Sequence, residues 1–83
     1  MAAVTVGTTE IQVAAAAARS IIVQNLGTDA IYVGVASGVT TATGVQIGSG
    51  GHLLIDSAPN GLDDGLWLIS GAAGQDVRVE VIG

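Results

Sequence analysis

Arg19-Ser20-Ile21-Ile22-Val23-Gln24-Asn25-Leu26-Gly27-Thr28-Asp29-Ala30-Ile31-Tyr32-Val33-Gly34-Val35 decides the fold class of this chain. Two runs rich in β-branched residues flank a short polar break containing glycine, the pattern that predicts a β-hairpin. The reading is therefore all-β. Outward from this stretch, glycines recur at short intervals and Pro59 is the one proline, leaving brief apolar runs between turn signals.

Those runs predict strands at Val4 to Val6, Ile11 to Val13, Ile21 to Asn25, Ala30 to Val35, Val45 to Ile47, His52 to Asp56, Leu66 to Ser70 and Val77 to Ile82. About eight short strands at regular spacing predict a small antiparallel β-sandwich, jelly-roll-like in arrangement. The last run alternates most clearly: Val77, Val79 and Val81 are expected to face the core, with Asp76, Arg78 and Glu80 facing solvent or a partner. Ile21-Ile22-Val23, Leu53-Leu54-Ile55 and Leu66-Trp67-Leu68-Ile69 are apolar on both faces. In a small sandwich this predicts one face on the core and the other against a neighbouring subunit.

Thr9-Glu10-Ile11-Gln12-Val13 followed by Ala14 to Ala18 admits a second reading as a short helix. Thr9 and Gln12 have capping-box spacing, and alanine is the best helix former. The preferred reading is a strand through Ile11 and Val13, then a corner of small residues leading into the stretch quoted above. Residues 36–44 and 57–65 are expected loops, with a tight turn at 48–51. Asn60-Gly61 and Asp64-Gly65 supply the positive φ values that turns require. The chain reads as one domain over residues 1–83, its residues 1–7 forming either an edge strand or an extended N-terminal arm.

At 83 residues the chain is short. A domain of this size buries only roughly 60–65% of the surface its unfolded form exposes, and small domains compensate with disulfides, a metal or oligomerisation. There is no cysteine, and a single histidine, His52, offers no zinc ligand set. Self-association is what remains. Composition agrees: 11% of residues are charged and 49% hydrophobic, with Arg19 and Arg78 the only cationic side chains. The formal net charge of −5 argues against nucleic acid, whose binders need clustered Lys and Arg. The longest apolar run, Val13 to Ala18, is far short of the ~20 residues that span a bilayer, so no membrane is expected as a partner. The first residues lack the basic region and leucine-rich core of a signal peptide, so no export is expected.

Residues able to carry chemistry are few. His52 has Asp56 as its partner at strand spacing, with Leu54 between them on the same face. A catalytic role would also need a nucleophile and an oxyanion donor, so His52 reads as a polar residue at a strand start. Asn60, Asp63 and Asp64 suggest clustered oxygen ligands, but an EF-hand count from Asn60 ends at Gly71 where a glutamate is required. They read as a solvated acidic turn. Gly48-Ser49-Gly50 lacks the third glycine and the lysine of phosphate-binding loops. Trp67 and Tyr32 are the only aromatics, too few for a stacking platform, so Trp67 reads as core or interface. No catalytic residue, cofactor or metal is expected, and the chain does not read as an enzyme.

The placement of Val4-Thr5-Val6-Gly7, Ala18-Arg19-Ser20-Ile21-Ile22-Val23-Gln24-Asn25 and Ile31-Tyr32-Val33-Gly34 resembles a known group. So does that of Thr43-Gly44-Val45, Gly50-Gly51 and Asp76-Val77-Arg78-Val79. Together these resemble the small β-sandwich virion structural proteins of tailed bacteriophages, over most of the chain. The resemblance implies a head decoration, or cement, protein on the outer capsid surface, a homotrimer that ties major capsid protein subunits together. A tail- or fibre-associated module binding a host-surface glycan or protein is the alternative, with Trp67, Asn60, Asp63 and Asp64 as its contact set. The interface residues expected on the main reading are Ala2, Ala3, Val4, Thr5 and Val6, with Arg19, Trp67 and Arg78. Each arginine is expected to pair with a carboxylate, within the subunit or across an interface.

Overall fold

The fold is described from a computed structural model covering residues 1–57 and 59–83; Ala58, inside the expected 57–65 loop, lies outside the described residues. Eight strands form: β1 (Ala2–Val6), β2 (Ile11–Ala14), β3 (Ser20–Asn25), β4 (Ile31–Gly34), β5 (Val45–Ile47), β6 (His52–Asp56), β7 (Leu66–Ser70) and β8 (Gln75–Val81). Each matches an apolar run anticipated between turn signals, and no helix occurs among the described residues. The alternative helix at the Thr9–Ala18 segment is thus replaced by β2 and a corner, in which Ala17 adopts φ +73°.

The strands form two four-stranded antiparallel sheets, ordered β1-β8-β3-β6 (sheet I) and β2-β7-β4-β5 (sheet II). β1 pairs with β8, β2 with β7, β3 with β6 and β4 with β5. That is the pairing of one long antiparallel ribbon folded at the β4–β5 tip. Wrapping the ribbon brings β3 beside β8 and β4 beside β7, which completes both sheets. This strand order is that of a jelly roll.

The wrapping corrects the hairpin reading of residues 19–35. β3 and β4 lie in opposite sheets and do not pair. The five-residue break between them is an arch that crosses the sandwich, and buried polar side chains hold it in place. Asn25, with no exposed surface, donates from Nδ2 to the carbonyls of Asp29 (2.9 Å) and Ile47 (3.0 Å) and accepts from the Gly27 amide at Oδ1 (2.9 Å). Gln75 Oε1 accepts from the Asp29 amide (2.8 Å), and Ser70 Oγ donates to the Ala30 carbonyl (2.8 Å). All three buried polar residues therefore satisfy backbone that a hairpin would have paired through its own ladder.

The core lies between the sheets. It is built from Val6, Ala14, Ile21, Val23, Ile31, Val33, Ile47, Leu66, Leu68, Val77 and Val79 on the strands, with Ala18 at the corner. Every strand except β6 supplies at least one buried side chain; β6 supplies only the half-buried Leu53 and Ile55. Val81, expected in the core, is 45% exposed. β1 begins opposite Val79, so beyond that point β8 has a neighbour on one side only and nothing closes over Val81.

The corner between β2 and β3 is tied by backbone bonds to the chain leaving β6. Ala17 N donates to Leu62 O (2.7 Å), Leu62 N to Ala18 O (2.9 Å) and Ser57 N to Arg19 O (2.7 Å). Gly65, at φ +95°, sits where a Cβ would come within 2.2 Å of the Ala14 carbonyl oxygen. Only glycine fits that approach.

Candidate interaction surfaces

The two outer faces of the sandwich differ in charge. Strand alternation turns Asp76, Arg78 and Glu80 of β8 and His52, Leu54 and Asp56 of β6 outward from sheet I, with Ser20, Ile22 and Gln24 of β3 between them. Asp56, Asp76, Arg78 and Glu80 are the charged residues borne on strands, and all lie on this face. Arg78 Nη1 pairs with Asp76 Oδ1, and the N-terminal ammonium lies 3.0 Å from Glu80 Oε1.

The strands of sheet II carry no charged residue. Their outer face presents Gln12, Trp67, Ile69, Tyr32, Gly34 and Gln46, and so both aromatic side chains of the chain. Trp67 stands opposite Gln12 on one side and Gly34 on the other, and Tyr32 opposite Ile69 and Gln46.

The loop between β4 and β5 folds back over part of this face. Val39 is buried there, so close that a Cβ on Gly34 or on Gly44 would come within 3 Å of it. Glu10 fastens the loop from the β1–β2 connection: Oε1 accepts from Ser37 Oγ (2.8 Å) and Oε2 from the Gly38 amide (2.7 Å). Trp67 is half-buried, and its indole Nε1 is out of solvent with no hydrogen-bond partner among the described residues. At the other end of the face, Asp29, Ala30, Tyr32, Gly71 and Ala72 line an open basin of about 340 Å³.

The expected interface residues fall in three places. Ala2–Val6 is the edge strand β1, laid along β8 rather than extended as an arm. Ala3 sits directly opposite Arg78, so β1 and Arg78 share one surface. Trp67 lies on the outer face of the other sheet. Arg19 is exposed at the β2–β3 corner, its amide donating to the Gly83 carbonyl oxygen (2.7 Å), and it takes part in neither ion pair among the described residues. Of the two arginines, Arg78 has the intrasubunit partner.

The alternative contact set is not drawn together around Trp67. Asn60, Asp63 and Asp64 are exposed in the loop before β7, where the Asp64 carbonyl accepts from Gln12 Nε2 (3.1 Å). Among the described residues no group of three or more His, Asp or Glu side chains is placed to hold a metal ion. Leu53-Leu54-Ile55, apolar on both faces in the sequence, lies on an open sheet edge with Leu54 60% exposed at its centre. Comparison with family models, with curated proteins and with solved structures finds no match for the chain.

Proposed function

We propose that this chain is a structural virion protein that decorates the outer surface of a phage head and stabilises it by docking an uncharged face onto assembled capsid protein. The observation that carries the reading is the segregation of charge. One sheet bears every strand-borne charge, while the other presents both aromatics on a face whose strands carry none. Interface cores are enriched in aromatic residues and depleted of charge. A docked surface supplies the acceptor that the Trp67 indole N–H lacks among the described residues; an orphaned buried donor is a penalty of roughly 1–3 kcal/mol. A ligand that binds only the assembled shell stabilises it by mass action.

The test is co-sedimentation of the purified protein with heads lacking their decoration, together with the heat resistance of those heads. Binding that raises the disruption temperature, and that falls at least tenfold for Trp67→Glu, is the expected result. Heads that neither bind the protein nor gain resistance overturn the reading.

A second reading has its own observation. The basin beside Tyr32 brings an aromatic residue and an acidic one, Asp29, together with the small residues Ala30, Gly71 and Ala72, an arrangement suited to a sugar ring. On that reading the chain is a tail- or fibre-associated module. A glycan array then gives hits that Tyr32→Ala abolishes, while bare heads bind nothing.

A further inference from the structure

We infer that β6 is a self-pairing edge, and that two copies of this chain join β6 to β6 about a two-fold axis through Leu54, making one continuous eight-stranded sheet. The inference concerns the protein alone and stands apart from shell binding. It replaces with a pair the trimer that the resemblance implies.

The first ground is burial. β6 is the one strand with no buried side chain. Its inward Leu53 and Ile55 only half-cover the core, and its outward Leu54 is 60% exposed. A strand of this composition at the end of a sheet exposes apolar surface and a backbone edge that no second strand flanks, a template for another strand.

The second ground is the order of residues along it. In an antiparallel pair centred on Leu54, His52 of each copy stands opposite Asp56 of the other, Leu53 opposite Ile55, and Leu54 opposite itself. Directly opposed side chains have Cβ atoms ~4.5–5.5 Å apart, so both His–Asp pairs come within hydrogen-bonding reach. The imidazole donates an N–H to the carboxylate whether neutral or protonated. Asp56 is also engaged within its own chain, and a carboxylate has about four acceptor sites to share. No other pairing of this edge with the chain's own edges does as well: against β1 (Ala-Ala-Val-Thr-Val), His52 and Asp56 would face only uncharged residues.

The remaining edges are guarded or lack this complementarity. β2 carries a register shift between Gln12 and Ala14, and β5 has three residues. Bulges and short strands are the devices by which edges avoid pairing. Nor do the other strand-borne charges oppose the contact. The strand beside β6 turns Ser20, Ile22 and Gln24 outward, all uncharged, so the nearest other strand-borne charges are on β8. In the pair they lie three strand spacings, ~14 Å, from the partner's β6, beyond the Debye length of ~8 Å at physiological salt.

The test is the native mass of the full chain by light scattering and sedimentation equilibrium over a range of concentrations, with no shells present. The wild type is expected at twice the 8.1 kDa of one chain. His52→Asp, which sets like charges opposite at both ends, should weaken association by about tenfold or more. The double exchange of His52→Asp with Asp56→His restores the same complementarity in reverse and should recover the pair. Leu54→Lys, an exposed change that leaves the fold intact by circular dichroism, should give a single-chain mass. A wild type that is monomeric or three-fold, a double exchange no better than His52→Asp alone, or a Leu54→Lys variant with unchanged mass overturns the inference. Because shells are absent, none of these outcomes bears on decoration, which the co-sedimentation assay tests separately.

Discussion

Replacing Asn25 by aspartate isolates what holds the β3–β4 arch in place. The substitution keeps size and shape, so packing is unchanged and the acceptor for the Gly27 amide survives. What is lost is the Nδ2 donor to two carbonyls, those of Asp29 and Ile47, which would then face a carboxylate oxygen at 2.9 and 3.0 Å. Each orphaned buried group costs about 1–3 kcal/mol, and a buried unpaired charge adds to that, so a loss of ~3–5 kcal/mol is expected at neutral pH. Domains have roughly 0.05–0.15 kcal/mol of stability per residue, which for a chain this short leaves only about 4–12 kcal/mol in total. Urea melts at one fixed protein concentration should show the midpoint falling with the m value unchanged, and Tm should drop by about 4–8 °C for each kcal/mol.

The pH dependence gives a sharper check. Burial and the two facing carbonyls raise the pKa of the introduced carboxyl in the folded state above its unfolded value of ~3.9. The variant's deficit is therefore smallest below ~3.9, where the group is protonated in both states and can donate one bond, and grows as pH rises through the raised folded value. A variant within about 1 kcal/mol of wild type, or a deficit that does not change on acidification, would refute the view that Asn25 works as a donor.

Three further outcomes follow from local geometry. Ala17→Gly relieves a left-handed backbone at φ +73° and should raise stability by up to about 1 kcal/mol, read as a Tm increase. Gly65→Ala drives a Cβ toward the Ala14 carbonyl oxygen, 2.2 Å from its ideal position, and should cost at least ~2 kcal/mol in a urea melt. Glu10→Ala frees the Ser37–Gly38 segment; hydrogen exchange at the Gly38 amide should accelerate, with global stability falling by no more than about 1 kcal/mol because both bonds are exposed.

All eight strands were legible because short apolar runs and glycine punctuation are local signals. Pairing was not. Ile21-Ile22-Val23 and Ile31-Tyr32-Val33 declare two strands and a break, and nothing within residues 19–35 says whether the chain returns along the same sheet or crosses to the other. The deciding residues are Asn25 and its helpers Gln75 and Ser70. Gln75 is 46 positions from the Asp29 amide it accepts from, and Ser70 is 40 from the Ala30 carbonyl it donates to. A buried Asn at a strand end looks in sequence like an ordinary turn residue. Val81 misled for a related reason: alternation assigns a face to a side chain, but cover comes from where β1 starts on the neighbouring strand. Among the expected interface residues, position relative to sheets could be read only in part, so β1 and Arg78 meet while Arg19 and Trp67 stand elsewhere.

The two proposals fit together through symmetry. An antiparallel junction at β6 has its two-fold axis perpendicular to the joined sheet, because opposed residues such as Leu54 and its copy project from the same side. Both sheet I faces, with Asp76, Arg78 and Glu80, then look one way, and both sheet II faces, with Trp67 and Tyr32, look the other. A pair built so offers two uncharged aromatic faces to one broad surface at once. After the first face docks, the second docks intramolecularly, and linkage of this kind strengthens binding by about 10²–10⁴ when geometry permits both contacts. Leu54→Lys touches neither Trp67 nor Tyr32, yet it should lower apparent affinity for undecorated heads by about a hundredfold while leaving the single-site affinity intact. The split is measurable by comparing sparse with saturating occupancy of the heads. Equal affinity of the wild type and the Leu54→Lys variant at sparse occupancy would mean that the pair does not engage the shell with both faces.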